Sequence, residues 1–217
     1  MPDASLRFRL LWQLLVFAGI GITFCCGCSD TEIANPVFSV KDCNRLPDFF
    51  GSYRLRETER IDALTFLHVG SAGKGYPKGV LKVVTISHLD GKLEIETNFA
   101  FARKLDGIYW LHIPEFRNGK LPTKAWWQDD VVNYQLYKVK VTETGLAVHY
   151  LDDDFVGKEL KNKNLNGIFK TDPIFNSKTA RITATTEELF EYFTQNKLDA
   201  LTCKEAIYFD RIKKQER

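Results

Sequence analysis

The run "KLEIETNFAF", residues 92–101, alternates with a period of two: Leu93, Ile95, Phe99 and Phe101 fall on one face with Thr97, and Glu94, Glu96 and Asn98 fall on the other. A strand with one wet face follows, because successive side chains of an extended chain point to opposite sides. Comparable runs recur as "GSYRLRET", "DALTFLHV", "GVLKVVTIS", "GIYWLHI", "VVNYQLYKVKV" and "GLAVHYL"; in the last, Leu146, Val148 and Tyr150 share a face. Asp90-Gly91, Asp106-Gly107 and Thr144-Gly145 punctuate three of the joins. Asp-Gly pairs supply the positive φ angles that tight hairpins demand. Short strands joined this way predict an antiparallel meander around a core, since a parallel sheet would carry longer, continuously apolar runs.

The period changes near the C-terminus. In "TTEELFEYFTQNKLDAL", Thr185 and Glu188 have the spacing of a capping box, and Leu189, Phe190 and Phe193 form an apolar stripe, which predicts one α-helix. The final run "AIYFDRI" predicts a closing strand. The stretch "FFGSYRL", residues 49–55, resembles the Gly-x-Trp opening of lipocalins with Tyr53 in place of the Trp, and the succession of meander, helix and last strand is similar. The fold class expected is mainly β: an antiparallel meander curled into a lipocalin-like barrel or half-barrel, with one C-terminal α-helix and a closing strand. The resemblance implies architecture and carries no binding cavity with it.

Ahead of the meander, Arg7 and Arg9 precede an apolar run from Leu10 to Cys26 that is broken only by Gln13 and Thr23, the layout of an export signal. Its length is at the lower edge of what spans a bilayer. The run ends in Cys25-Cys26-Gly27-Cys28, which resembles the lipobox of bacterial lipoproteins, where a small residue precedes the cysteine that is modified. The resemblance implies cleavage before Cys28, acyl chains on that cysteine, and a membrane-anchored lipoprotein of the cell envelope facing the periplasm or the exterior. An uncleaved anchor and ordinary secretion are the alternatives. The organisation expected is a signal peptide over 1–27, a flexible tether over 28–46 where "SDTEIANPVFSVKDCNRL" is polar and aperiodic, and one β-rich globular domain over 47–217.

Each of these routes places the domain where disulfides persist, so Cys43 and Cys203 are expected to form one bridge. A zinc site would need two separated ligand pairs, and Cys26-x-Cys28 has no second pair. With 30 basic against 28 acidic side chains, the chain has no electrostatic footprint for nucleic acid.

Few residues suggest chemistry. "GSAGKG", residues 70–75, lacks the leading glycine of a phosphate loop and has Gly75 where a magnesium-binding Ser or Thr belongs, so a hairpin connection is expected. His68, His88, His112 and His149 are scattered singly, and "YLDDDF", residues 150–155, lacks the alternation of a calcium loop and is expected to be a solvated turn. Trp126 and Trp127 in "KAWWQDD" lie in a long connection and are the candidate binding surface, one ring being free to stack on a partner. No catalytic residue, metal ligand or cofactor site is assigned. The function expected is a lipid-anchored, non-enzymatic envelope protein that binds a macromolecular partner or supports an envelope assembly. A lipocalin-like carrier of a small apolar ligand is the alternative, motivated by the barrel pattern and by 16 Phe, 8 Tyr and 4 Trp. A hydrolase assembled from distant strands ranks third.

Overall fold

Residues 30–43, 50–56, 64–77, 79–89, 91–116, 131–171, 178–195 and 201–212 are described by the computed structural model. The meander is built as its alternation demands. Strands β2 (Gly51–Leu55), β3 (Leu64–Ser71), β4 (Val80–Leu89), β5 (Lys92–Leu105), β6 (Ile108–Phe116), β7 (Val131–Val141) and β8 (Gly145–His149) follow in chain order, and β11 (Ile207–Arg211) inserts between β8 and β2. Because β6 also pairs with β7, the eight strands close into an antiparallel barrel, which leaves that sheet no free edge. The fold is therefore mainly β, with the C-terminal helix and closing strand where the sequence placed them.

Turn chemistry accounts for the join between β5 and β6. Asp106 and Gly107 have φ of 50° and 81°, the left-handed pair of a two-residue hairpin between β5 and β6. At the β7–β8 hairpin the requirement is different: Gly145 has no positive φ, but a Cβ there would lie 1.8 Å from the Phe209 carbonyl oxygen of β11. "GSAGKG" ends β3 and leads into β4, as a hairpin connection.

Alternation then sorts the barrel into two apolar layers. Tyr53, Val69, Leu81, Val83, Ala100, Ala102, Tyr109, Leu111, Val139 and Leu146 form one buried cluster inside it. Phe99, Phe101, Trp110 and Leu136 point the other way and belong to a second cluster on the outer wall. The alternation along 92–101 is kept but its expected wet face is inverted: Glu94, Glu96 and Asn98 face inward and are partly buried, while Leu93 and Ile95 are exposed. From Phe99 to Ala102 both faces are buried, the small alanines inward and the phenylalanines outward.

The covering of the outer wall corrects the expected tether. Residues 30–43 belong to the fold: β1 (Asp30–Ile33) pairs parallel with β10 (Lys178–Ile182) and meets β7 at Ile33 and Tyr134. Antiparallel β9 (Gly167–Thr171) completes this side sheet. Ile33, Val37, Phe38 and Val40 are buried against the barrel, since their apolar area outweighs the polar residues between them. Val37 also donates its N–H to His112 Nε2 at 3.1 Å.

Two helices finish the layer. The sequence "YLDDDF" opens α1 (Asp153–Lys161) and is not a solvated turn. Asp152 caps it by accepting from Phe155 N at 3.0 Å, and Asp153 and Asp154 sit in the first turn where the helix dipole favours carboxylates. Helix α2 (Thr186–Gln195) starts at the expected capping box, Thr185 N donating to Glu188 Oε2 at 2.8 Å and Glu188 N to Thr185 Oγ1 at 3.2 Å. Its stripe buries Leu189 and Phe193, the latter edge-on to Trp110 at 5.4 Å.

Candidate functional site

Of the sites singled out in the sequence, the described Cys43 and Cys203 are not brought together. Cys28, Trp126 and Trp127 lie outside the described residues. Cys43 and Cys203 are not joined to each other, so the expected bridge is not formed. Cys43 sits beside Gly79 at the start of β4, and Cys203 hydrogen-bonds through its backbone to Tyr150 just past the end of β8. In an up-and-down meander β4 and β8 run the same way, so these points fall at opposite ends of the barrel, beyond the ~4–7 Å Cα separation a disulfide tolerates. Each thiol is satisfied locally, Cys43 Sγ donating to Ser39 O at 3.5 Å and Cys203 Sγ to Leu151 O at 3.6 Å. Burial, reinforced by Asp42 and opposed by Arg103, pushes the Cys43 thiol up to about 12, which makes it unreactive.

Of the histidines, His112 alone is fully buried. Phe101 stacks on its ring at 5.0 Å, Phe38 meets it edge-on at 4.4 Å, and burial pushes its pKa down to about 3. Its Nδ1 has no partner among the described residues, while Nε2 accepts from the N-terminal segment. That geometry is a docking contact, neutral at ordinary pH. A cavity of about 260 Å³ lies nearby, lined by Pro36, Ser39, Val40, Phe101, Tyr134, Thr186 and Glu187. It is outside the barrel, between the N-terminal segment and the start of α2.

Catalytic geometry is sparse. Ser52 Oγ lies 2.9 Å from His68 Nδ1, a nucleophile–base distance, but the pair is exposed on the barrel wall, and no carboxylate among the described residues orients the ring. His149 Nδ1 is occupied by the Cys203 carbonyl at 3.0 Å. Among the described residues, no three His, Cys, Asp or Glu side chains are grouped as a metal ion would need.

The feature that stands out is a surface. On β3, β4 and β5 the registers set Leu64, His88 and Leu93 in one cross-strand row and Phe66, Ile86 and Ile95 in the next, with Val84 beyond. All project from the outer wall. Leu64, Leu93 and Ile95 are 43%, 64% and 65% exposed, and Phe66, Val84 and Ile86 are half-buried. Compared with known proteins, the chain matches no family model, and no curated protein or solved structure is significantly similar to it.

The sequence placed Leu93 and Ile95 correctly on one face with Phe99 and Phe101 but could not show that this face is the outer one. A signal was present in "NFAFA", where alanines alternate with phenylalanines: apolar residues on both faces mean that both are covered, and the small ones suit the crowded barrel interior. Apolar side chains that continue the outer face past the covering layer are then exposed.

Proposed function

We propose that this protein is an exported, lipid-anchored component of a bacterial cell envelope that acts without catalysis, its barrel serving as a rigid support that presents an outer face to a macromolecular partner. The observation that carries this reading is the inversion of the barrel toward one end. There the outer positions of β3–β5 are apolar and exposed, while the inward positions beside them, Thr85, Ser87, Glu94 and Glu96, are polar; further along β4 and β5, around Leu81 and Ala100, the interior is packed by one apolar cluster with Tyr53, Tyr109, Leu111, Val139 and Leu146. Contiguous exposed apolar area of this kind marks interaction sites on soluble domains. A filled axis leaves the alternative, a lipocalin-like carrier of a small apolar ligand, with the architecture and without a cup at that level.

The anchor is supported by the sequence alone, through Cys28 and the apolar run before it. Its position gains meaning from β1. Only Ser29 separates Cys28 from Asp30, the first residue of β1, and two residues of extended chain reach about 7 Å. A Cys28-anchored domain would therefore sit directly on the membrane rather than swing on a tether. Fatty-acid labelling of the wild type and of Cys28→Ser, with fractionation of the cells, tests the anchor: label and membrane association lost together support it, and an unlabelled protein that keeps Met1 overturns it. Native mass spectrometry of the purified protein tests the rest, a retained small molecule favouring the carrier.

A further inference from the structure

We infer that residues 35–43 form a latch over the outer wall of the barrel that opens on acidification, with the His112 imidazole as its sensor. His112 projects outward from β6, where Phe101 of β5 stacks on the ring and Phe38 of the latch meets it edge-on. Its Nε2 accepts the Val37 N–H at 3.1 Å. Among the described residues this is the one hydrogen bond from the backbone of 35–40 to the barrel; the end of the latch closes on itself, Asp42 N donating to Ser39 O and Cys43 N to Val40 O. Segments held by few backbone hydrogen bonds are the first to open. A proton on Nε2 would turn that acceptor into a donor facing the Val37 N–H, so the closed latch admits only the neutral ring.

The groups around the ring do not offset a charge on it. Tyr134 of β7 stands edge-on at 6.2 Å, and burial raises its pKa, so it is neutral as well. Arg103, two positions beyond Phe101 on β5, lies over the Phe190 ring, and Lys138 of β7 bonds Thr202; both would repel an imidazolium. From α2, Glu187 lines the cavity beside Phe101 and Tyr134, and Glu188 is held in the cap with Thr185. On the latch, Lys41 is exposed and Asp42 accepts from Ser39 N. Burial alone sets the state of His112. Opening frees the ring to take up a proton below its ordinary 6.5, while the closed form stays neutral down to about pH 3, so the open population grows about tenfold per pH unit across that window and is unaffected above it. The opening uncovers Phe101, which is fully buried when the latch is closed.

The test is hydrogen exchange of the full-length protein, read by mass spectrometry at pH 7 and pH 5 and corrected for the intrinsic pH dependence of exchange. Amides of 35–43 are expected to be less protected than those of β4 and β5 at both values. They should lose about 25-fold in protection between pH 7 and pH 5, the ratio that an ordinary imidazole in the open form gives. His112→Gln, which still accepts from Val37 and takes no proton, should keep the protection at pH 7 and abolish the loss at pH 5. Phe38→Ala, which leaves the imidazole in place, should lower the protection of 35–43 at both values with their ratio unchanged, and it carries the test should the glutamine variant not fold. Protection of 35–43 equal to that of β4 and β5 means that the segment opens only with the whole chain, and overturns the proposal. Protection independent of pH overturns it too, as does a pH dependence that survives in His112→Gln.

Discussion

Phe38→Ala asks directly whether the segment before the barrel is structural. Phe38 is 1% exposed and makes edge-to-face contacts with His112 at 4.4 Å and Phe101 at 6.3 Å. Removing a fully buried phenylalanine costs about 3–5 kcal/mol. The upper half of that range applies here, because the site cannot collapse: β5 and β6 hold Phe101 and His112 in a closed barrel, and aromatic pairs add about 0.5–1.5 kcal/mol beyond area. At about 2–4 °C per kcal/mol for a domain of this size, the melting temperature should fall by roughly 10 °C or more. Urea titrations of the wild type, Phe38→Ala and Ile33→Ala, with exposed Lys41→Ala as control, measure it. Two large midpoint shifts with the slope unchanged, and a control within about 0.5 kcal/mol, are expected. Losses below about 0.5 kcal/mol for both buried positions would refute the packing and return residues 30–43 to the role of a tether.

Other expectations follow from buried groups. His112 stays neutral in the folded state down to about pH 3, whereas in the unfolded chain it takes up a proton below its ordinary 6.5; between those values the unfolded state binds more protons, so stability falls as pH drops through that window and is unaffected by His112 above it. The contribution approaches about 1.4 kcal/mol per pH unit, and His112→Gln, which can still accept from Val37, should flatten the pH dependence of urea melts between pH 6 and 4. Gly157→Ala should destabilise by about 1–3 kcal/mol although alanine favours helix by about 1 kcal/mol, because its Cβ would lie 2.6 Å from the Phe169 ring; a neutral or stabilised melt would count against that contact. Without reductant, denatured protein should alkylate at both Cys43 and Cys203, while native Cys43 should react on the order of 100-fold more slowly than an exposed thiol; a linked Cys43–Cys203 peptide would contradict their separation.

What the sequence determined by itself was local. The Asp106-Gly107 turn, the Thr185 and Glu188 capping box, and the alternation along 92–101 and 145–149 are each settled within a few residues, since positive φ, a cap hydrogen bond and side-chain direction depend on near neighbours. Closure into a barrel was foreshadowed by the number and shortness of the runs, and the helix before the last strand by its period. Tertiary structure decided the rest. Residues 30–43 have no period of their own, and β1 exists because β10 and β7 offer edges to it from far along the chain. "YLDDDF" becomes a helix start because Val156 and Leu160 find a side sheet to cover, which three aspartates in a row cannot announce. The pairing expected of Cys43 and Cys203 failed because compartment and count say nothing about which ends of a barrel two residues occupy. Alternation divided β5 into two faces, but only closure of β6 onto β7 made one of them the inside, and with it made Leu93 and Ile95 an exposed surface rather than core.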